Sequence, residues 1–262
     1  MDLSIIIVNF NTKKLTLECL KSILSSDVKV RYEIVVVDNA SGDESVEAFE
    51  KYKSAKRLGA KLRIIENEVN LGFSKANNIG IKSAHGRYVL LLNSDTKVKK
   101  DSIYNLYKFA SGKSFAGVVG ARLLNPDRSI QSSVFRLPTI YRAVMHYWFG
   151  KKILDKYAPK GDDPVEVESV VGAAFLLTPR AIGEVGFLDE RYFMYFEDLD
   201  YCRKVRRMGL KVYYVPSSQI IHYHGASGGK MDFLVKSSKT YHGLTGYYII
   251  NLVIKISRLW KK

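Results

Sequence analysis

The chain begins with the stretch Leu3-Ser4-Ile5-Ile6-Ile7-Val8-Asn9, in which all but one of the residues before the final asparagine are apolar. Short apolar runs rich in β-branched residues are typical of strands that are buried on both faces of a sheet. From Leu15 to Leu24 the apolar residues follow helical spacing, and Thr12 is predicted to cap that helix. A second apolar run, from Tyr32 to Val37, completes a strand–helix–strand unit.

The same alternation continues through the first third of the chain. The next predicted elements are a helix from Ser45 to Tyr52, a strand from Leu62 to Ile65, a helix from Ser74 to Ser83 and a strand from Arg87 to Leu92. This order predicts an α/β fold with a mainly parallel central sheet flanked by helices. Ligands of such sheets bind beyond the carboxyl ends of the strands.

The second half of the chain has a less regular pattern. Its predicted elements are strands over 114–119, 121–124 and 165–177, a short helix that starts at Pro179, and a helix from Asp198 to Met208. Because we find no linker or repeat, we expect one domain over residues 1–229. It comprises a half with regular alternation (about 1–98) and a less regular half (about 99–229). Residues 230–262 form a basic amphipathic extension that we expect to be helical.

Composition limits the classes of function. The chain has 262 residues, 47% of them hydrophobic, and a net charge of 41 − 26 = +15. This charge suits phosphorylated ligands, anionic lipid or nucleic acid, but no nucleic-acid-binding motif accompanies it, so we expect no nucleic-acid partner. Cys19 and Cys202 form no metal or disulfide pattern, which indicates a reducing, cytoplasmic location. We expect neither a signal peptide nor a membrane-spanning helix.

Polar residues stand where several predicted strands end. Asn9, Asp38 and Asp95 each follow an apolar run, which predicts that they share one site at the carboxyl edge of the sheet. Asp38 suits a base or ribose, although it could equally cap the following helix. The turn Asn93-Ser94-Asp95 can hold a divalent ion against a diphosphate, although these residue types also favour plain turns. Lys75, at a helix start, is a candidate for a phosphate.

Acids and histidines near the end of the chain supply candidate chemistry. Glu197 and Asp198 follow an aromatic run over 192–196, and apolar surroundings raise carboxyl pKa values into the range of a general base. Acids in a first helical turn can also simply favour the helix dipole. Asp200 has the spacing of an ion-pair partner of Arg203 and Lys204. His222 and His224 lie just past a strand predicted over 211–216. Either could join Asp95 in a metal site, or both could simply mark an exposed strand end.

These motifs, in this order, resemble the inverting glycosyltransferases of family 2, which have the GT-A fold, and most closely the rhamnosyltransferase-like branch. The matching pieces are residues 4–11, 36–41, 70–73 with 78–80, 91–95, 172–174, 187–190, 196–200 and 222–227. The resemblance covers roughly residues 3–227, and it implies a nucleotide-binding half over about 1–98 and an acceptor and catalytic half over about 99–229. It implies transfer of a sugar from a nucleotide-sugar donor to a glycan or lipid-linked acceptor, with inversion at the anomeric carbon.

The resemblance also implies roles for single residues. Asp198 matches the catalytic base, with Glu197 as the alternative. A divalent metal, Mg²⁺ or Mn²⁺, is expected on Asp95 and His222, while Asn93 replaces one aspartate of the common pattern. The implied donor-binding residues are Val8, Asn9, Phe10, Asp38, Asn39, Gly72, Lys75, Asn78, Asn93, Ser94, Asp95, Gly172 and Ala173.

Substrates and location follow less closely from the residues. The branch suggests dTDP-linked rhamnose, and UDP-linked hexoses stay open. From Lys230 to Lys262 there are seven Lys and Arg and one acid, with Tyr and Trp among aliphatic residues. This composition suits the inner face of an anionic membrane, and the alternative is a helix packed on the domain or on a second subunit. Competing functions are a nucleotidyltransferase acting on sugar phosphates and a basic non-enzymatic adaptor.

Overall fold

The computed structural model, which describes residues 1–223 and 231–260, confirms the predicted alternation in the first part of the chain. Its elements are β1 (Leu3–Asn9), α1 (Lys13–Leu24), β2 (Tyr32–Asp38), α2 (Ser45–Ala55), β3 (Leu62–Glu66), α3 (Phe73–Ser83) and β4 (Tyr88–Leu92). Each starts and ends within a few residues of its predicted bounds, because the apolar periodicity that marks these elements is local.

The remaining elements are more numerous than the sequence pattern indicated. They are β5 (Thr96–Val98), α4 (Ser102–Ser111), β6 (Ala116–Leu124), β7 (Val134–Phe135), α5 (Ile140–Tyr147), β8 (Val165–Val167), β9 (Ser169–Val170), β10 (Ala174–Leu177), α6 (Pro179–Val185), α7 (Glu197–Arg207), β11 (Lys211–His222) and α8 (Met231–Trp260). The prediction of two strands over 114–119 and 121–124 was wrong. Gly120 lies inside the single strand β6, and a Cβ there would lie only 2.7 Å from Val170 Cβ, so close packing and not a turn requires glycine.

Within the described ranges, nine strands form one sheet, in the order β3-β2-β1-β4-β10-β6-β11-β5, with β8 also paired to β11. The first four strands are parallel, as predicted. The second half is mixed, because β10 runs antiparallel to both β4 and β6 while β11 is parallel to β6. The amino end of β10 therefore lies beside the carboxyl end of β4, with Ala174 opposite Leu92.

The apolar run of β1 is continuous because both faces of the sheet are covered. Ile5 and Ile7 belong to the same core cluster as Leu20 and Ile23 of α1. Ile6, between them, belongs to the opposite cluster, which contains residues of α3 and α7. Successive side chains of a strand point to opposite faces, so a strand covered on both sides has no polar alternation. The packing thus holds the carboxyl end of β1 rigidly at one edge.

One buried carboxylate far from that edge predicts a pH effect on stability. Glu33 of β2 is 1% exposed, and its Oε1 accepts hydrogen bonds of 2.6 Å from both Ser4 Oγ and the His85 amide. Burial by itself would raise the pKa of Glu33, but these bonds and Arg63 outweigh it and lower the pKa to about 2. The carboxylate therefore stabilises the fold above its unfolded-state pKa, and this stability is lost as pH falls toward 2.

We expect Glu33→Gln to lower the free energy of unfolding by about 3 kcal/mol at pH 7. The deficit relative to wild type should shrink between about pH 5 and pH 2, because the wild-type carboxylate becomes protonated there. Urea unfolding at several pH values measures both quantities. A deficit that stayed constant down to pH 2 would contradict the assignment.

The C-terminal extension is helical, as predicted, and it has a sharp kink. α8 bends at Gly243, whose φ of 70° and ψ of 163° lie in a region that only glycine occupies readily. We refer to residues 231–242 as the first segment of α8 and residues 244–260 as the second. No helix in the described part of the chain has both the length and the hydrophobicity that a membrane crossing needs.

Candidate active site

Asn9 is the centre of a buried polar network at the carboxyl ends of β1 and β2. Its Nδ2 donates to Asp38 Oδ1 at 2.6 Å and to Ser41 Oγ at 2.9 Å. The other carboxylate oxygen of Asp38 accepts a 2.9 Å bond from the Ser41 amide. Asp38 is 0% exposed, and each of its oxygens keeps one lone pair that these bonds do not use. Val8 and Phe10 flank Asn9, and Phe10 is exposed.

Thr12 joins this network and does not cap α1. It occupies the residue before the helix, but its side chain makes no capping hydrogen bond. Its hydroxyl donates instead to Asn9 Oδ1 at 2.8 Å and lies 3.0 Å from the Ser94 hydroxyl. Thr16 Oγ1 donates to the same Asn9 oxygen at 2.6 Å. The predicted cap is therefore wrong, because a buried acceptor competes successfully for the hydroxyl.

Asn39 holds the loop that leads into α3. Its Oδ1 accepts a bond from the Leu71 amide at 3.0 Å, and its Nδ2 donates to Asn70 Oδ1 at 2.7 Å. The loop ends at Gly72, which has a φ of +81°. A Cβ on Gly72 would lie 2.6 Å from the carbonyl oxygen of Phe193, which also accepts a bond from the Phe73 amide. Glycine is thus required where this loop meets the segment that precedes α7.

The turn after β4 approaches the end of β11. Asp95, 3% exposed, has its Oδ1 3.4 Å from His222 Nε2, and His222 is 4% exposed. The carbonyl oxygen of Asp95 accepts a 2.9 Å bond from the Tyr223 amide. Asn93 in the same turn donates its backbone N–H to the Ala173 carbonyl at 3.0 Å. The sheet therefore brings together the predicted metal ligands Asp95 and His222.

Gln131 orients the His222 ring. The Oε1 atom of Gln131 lies 2.7 Å from His222 Nδ1, and its Nε2 donates to the His222 carbonyl at 3.2 Å and to Asn125 Oδ1 at 2.9 Å. Because the amide nitrogen faces a backbone carbonyl, the amide oxygen faces the ring, and His222 Nδ1 must carry the proton. The Nε2 atom of the same ring faces Asp95.

The donor atoms in this turn fit a divalent cation that shares its coordination with a phosphorylated ligand. Asn93 Oδ1 is buried and has no hydrogen-bond partner among the described residues, which marks it as an available ligand. Residues 1–223 and 231–260 contain no group of three or more His, Cys, Asp or Glu side chains able to hold a metal. One carboxylate with an amide oxygen suits Mg²⁺ or Mn²⁺, which complete their coordination with water and substrate phosphates.

Glu197 and Asp198, at the start of α7, differ in their hydrogen bonding. Burial, reinforced by the charge of Asp198, raises the pKa of Glu197 to about 8, and Glu197 Oε2 has no partner in the described structure. Burial also raises the pKa of Asp198, but its two oxygens accept bonds from the amides of Gly172 at 3.0 Å and Leu199 at 2.7 Å. These amides favour the ionised form and so oppose the effect of burial on Asp198, whereas Glu197 Oε2 has no such partner among the described residues.

The segment before α7 has an unusual backbone. Tyr195 and Phe196 have φ values of +70° and +67°, which bulky residues rarely adopt. Two consecutive residues of this kind cost on the order of 1–3 kcal/mol each, so surrounding contacts must maintain them. The turn directs the first residues of α7 toward Gly172, at the amino end of β10. The predicted ion pairs of Asp200 with Arg203 and Lys204 form on the same helix.

Two predicted donor-binding residues lie apart from these contacts. Lys75 is exposed on the first turn of α3. Asn78, 1% exposed, bonds the Leu188 carbonyl at 2.8 Å through Nδ2 and the Leu188 amide at 3.0 Å through Oδ1. Since both ends of its amide engage backbone groups, Asn78 fastens α3 to the loop before Tyr192. Its role in donor binding stays a prediction.

We expect Asn78→Ala to destabilise the fold by about 3 kcal/mol, because it leaves a buried N–H and a buried C=O without partners. Asn77→Ala is the matched control. Asn77 is equally buried, but its side chain bonds only the Phe73 carbonyl of its own helix, at 2.9 Å. Chemical denaturation of the two variants compares them. Equal losses of about 1 kcal/mol would show that the Leu188 bonds add nothing.

The structure adds residues that the sequence patterns did not reveal. Thr16, Ser41 and Gln131 support Asn9, Asp38 and His222 respectively. The spacing of Asn9 and Thr12 only weakly indicates the polar network around Asn9. No sequence pattern indicates Gln131, which is 91 positions from its partner His222. The predicted alternative ligand His224, with Gly225 and Ser227 of the same motif, lies outside the described residues.

Comparison with known proteins identifies the family. The model of the family described as "Glycosyl transferase family 2" matches residues 4–166. This range includes the polar network around Asn9 and the turn after β4. The chain belongs to glycosyl transferase family 2. This finding favours a glycosyltransferase over the nucleotidyltransferase and adaptor alternatives.

Similar proteins agree with this assignment. The chain is 28% identical over 215 residues to the N-acetylglucosaminyl-diphospho-decaprenol L-rhamnosyltransferase of Mycobacterium tuberculosis, covering 75% of this chain and 68% of the relative. Among solved structures, Pyrobaculum calidifontis mannosyltransferase PcManGT in complex with GDP-Man and Mn²⁺ has a TM-score of 0.64 at 18% identity. Staphylococcus aureus TarS 1-349 in complex with UDP-GlcNAc has a TM-score of 0.63 at 20% identity. This chain spans 64% and 66% of those two chains and shares their fold.

Proposed function

We propose that this chain transfers a sugar, with inversion, from a nucleotide-sugar donor to an acceptor hydroxyl, and that Asp198 is the general base. The observation that carries the proposal is the 3.0 Å bond from the Gly172 amide to Asp198 Oδ2. It attaches the carboxylate to the amino end of β10, beside the turn that holds Asn93 and Asp95. The proposed base Asp198, the proposed nucleoside-binding residue Asp38 and the candidate metal ligands would then act along one edge of the sheet.

In the proposed reaction, the acceptor hydroxyl attacks the anomeric carbon while Asp198 accepts its proton. The bond from that carbon to the diphosphate oxygen breaks, and the electron pair leaves with the nucleoside diphosphate. Attack opposite the leaving group inverts the anomeric configuration. Glu197, neutral below its raised pKa, does not compete for the proton. General base catalysis of this kind contributes about 10²–10⁴-fold to the rate.

The donor would bind along β1, β2 and β4. Asp38, held by Asn9 and Ser41, would accept hydrogen bonds from the base or ribose. Asn39 and Gly72 shape the adjoining loop, and the Ser94 hydroxyl joins the Asn9 network through Thr12. The rhamnosyltransferase relative supports a rhamnose donor, for which dTDP is the nucleotide that the sequence resemblance suggests. The UDP-GlcNAc complex of the structural neighbour supports a UDP-linked hexose.

A divalent metal would be held by Asp95 and His222, with Asn93 Oδ1 as a third donor. When bound, such an ion neutralises charge that develops on the leaving diphosphate. The orientation of His222 by Gln131 and the buried, unpartnered Asn93 oxygen support this role. The Mn²⁺ complex of the mannosyltransferase neighbour is consistent with it.

A thermal-shift panel of dTDP, UDP and GDP and their sugars, each with and without Mn²⁺, tests the proposal. Stabilisation by one nucleoside diphosphate class, larger with Mn²⁺, would support the transferase activity and identify the nucleobase of its donor. A thermal shift that does not depend on Mn²⁺ would still support the transferase activity but would exclude Asp95 and His222 as metal ligands. No shift with any nucleotide, at concentrations that stabilise a known transferase, would overturn it.

The acceptor is proposed to be lipid-linked, with the protein peripheral on the inner face of the cell membrane. The second segment of α8 exposes a row of apolar residues at helical spacing, namely Leu244, Tyr248, Leu252, Leu259 and Trp260. It packs beside α5, where Trp148 Nε1 donates to the Val253 carbonyl at 3.1 Å and the Trp148 ring stacks on Trp260. Lys151 and Lys152, which follow α5, and Lys255 and Arg258 of the second segment are exposed. Apolar and aromatic residues among cations suit an anionic bilayer.

We expect the wild-type protein to float with anionic phosphatidylglycerol vesicles and to be released by high salt. The double variant Tyr248→Ser/Leu252→Ser should lose most of this binding, because it removes apolar area from the interface. Met231→Ser is the matched control, since Met231 is 72% exposed but lies in the first segment of α8. Equal flotation of wild type and double variant would exclude this surface as the membrane contact.

A further inference from the structure

The first segment of α8 packs on the strained turn that precedes Glu197 and Asp198. The Phe233 ring stacks on Phe193 with centroids 4.5 Å apart. Four residues later, Ser237 is 2% exposed and its hydroxyl donates to the Met194 carbonyl at 2.7 Å. Residues separated by four positions lie on one face of a helix, so a single face of α8 follows the turn.

The contact continues through one more helical turn. Tyr241, 5% exposed, has its ring centroid 5.2 Å from that of Phe196. The Arg203 guanidinium of α7 lies 3.9 Å above the Tyr241 ring and donates to the Tyr241 carbonyl at 3.0 Å. Three α8 residues thus contact three residues of the turn, and one of the three also contacts α7, the helix that carries the carboxylates.

We propose that Phe233, Ser237 and Tyr241 are positioning residues that hold the 193–196 turn in its strained conformation and thereby place the Asp198 carboxylate. The inference rests on the proposed function for its catalytic consequence. It assigns the first segment of α8 to the catalytic unit, whereas sequence patterns suggested a boundary near residue 230.

The turn needs these contacts because its backbone conformation is energetically unfavourable. Backbone torsions such as those of Tyr195 and Phe196 persist only where neighbouring contacts over-determine them. On its other side the turn is held by the Phe73 amide, which donates to the Phe193 carbonyl. Removing the α8 contacts leaves the turn supported from one side, and small displacements of a base cost large factors in rate.

The test compares Ser237→Ala with Ser257→Ala in the full-length protein. Both serines are buried, 2% and 4% exposed, but Ser257 Oγ bonds the Ile254 carbonyl of its own helix and lies in the second segment. Ser237→Ala should lower kcat by about 10-fold and leave the donor KM within about twofold, because the base moves but the donor network does not. Ser257→Ala should leave both parameters unchanged. Equal kcat values for the two variants would overturn the proposal.

Phe233 offers a second comparison. Phe233→Ala should lower kcat as Ser237→Ala does, and Phe233→Tyr, which keeps a ring to stack on Phe193, should restore it. A merely structural role would lower thermal stability without this rescue pattern in kcat. A kcat for Phe233→Tyr as low as that of Phe233→Ala would contradict the stacking contact as the positioning element.

Amide hydrogen exchange separates this inference from the proposed function. Ser237→Ala should speed exchange of the amides over 192–199 by about 10-fold relative to Ser257→Ala, because the Met194 carbonyl loses its buried partner. This readout requires no substrate. Faster exchange in a protein that transfers no sugar would support the positioning role of α8 and contradict the proposed transferase activity. Active variants with unchanged exchange would contradict the positioning role.

Discussion

Asp198→Asn is expected to lower kcat for sugar transfer by about 10²–10⁴-fold while leaving donor affinity within about twofold of wild type. The amide side chain keeps the size of the carboxylate and can still accept a hydrogen bond from Gly172, but it cannot take up the acceptor proton. Donor affinity should persist because the donor network, centred on Asn9 and Asp38, does not include position 198. Steady-state kinetics and calorimetric titration of the donor measure the two quantities.

Glu197→Gln is the matched control for this prediction. Burial holds the pKa of Glu197 at about 8, so its carboxyl group is already neutral at pH 7, and a neutral amide changes the site little. We expect a kcat within about fivefold of wild type. If Glu197→Gln lost activity and Asp198→Asn kept it, the roles of the two carboxyl groups would be reversed. Undiminished sugar transfer by the Asp198→Asn variant would exclude Asp198 as the general base.

Asp95→Ala is expected to have the second largest effect, a loss of about 10²–10³-fold in kcat/KM together with loss of Mn²⁺ binding in the presence of nucleoside diphosphate. Asp95 is the only carboxylate of the Asn93-Ser94-Asp95 turn, and no second acid among the described residues joins it and His222 in a three-ligand group. A site with one carboxylate cannot keep a divalent ion after that charge is removed. Chelation of wild type by EDTA should cause a similar loss, restored by added Mn²⁺.

Mn²⁺ binding, followed by electron paramagnetic resonance or calorimetry with UDP or dTDP present, gives a readout independent of turnover. Asp101→Ala is a suitable control, because Asp101 is an exposed acid before α4 that caps no helix through its side chain. The control should bind metal as wild type does. Full activity of wild type after exhaustive chelation would show that the leaving diphosphate is stabilised without a metal.

Local patterns in the sequence predicted most of the first half of the fold. Apolar runs and helical spacing are properties of a few consecutive residues, so β1 to β4 and their helices were found close to their observed bounds. The rule that ligands bind at the carboxyl edge of parallel strands was then enough to group Asn9, Asp38 and Asp95. The same approach failed at β6, where Gly120 marks close packing and not a turn.

The tertiary structure alone decided which groups surround each candidate site residue. Whether Glu197 or Asp198 carries the charge depends on burial and on the Gly172 amide, which comes from a residue 26 positions away. Gln131 meets His222 across 91 positions, and Ser237 meets Met194 across 43. Hydrogen-bond partners of this kind are set by the packing of distant elements, which no local pattern encodes. The sequence by itself determined which residues stand at the sheet edge, and only the fold determined their partners, burial and support.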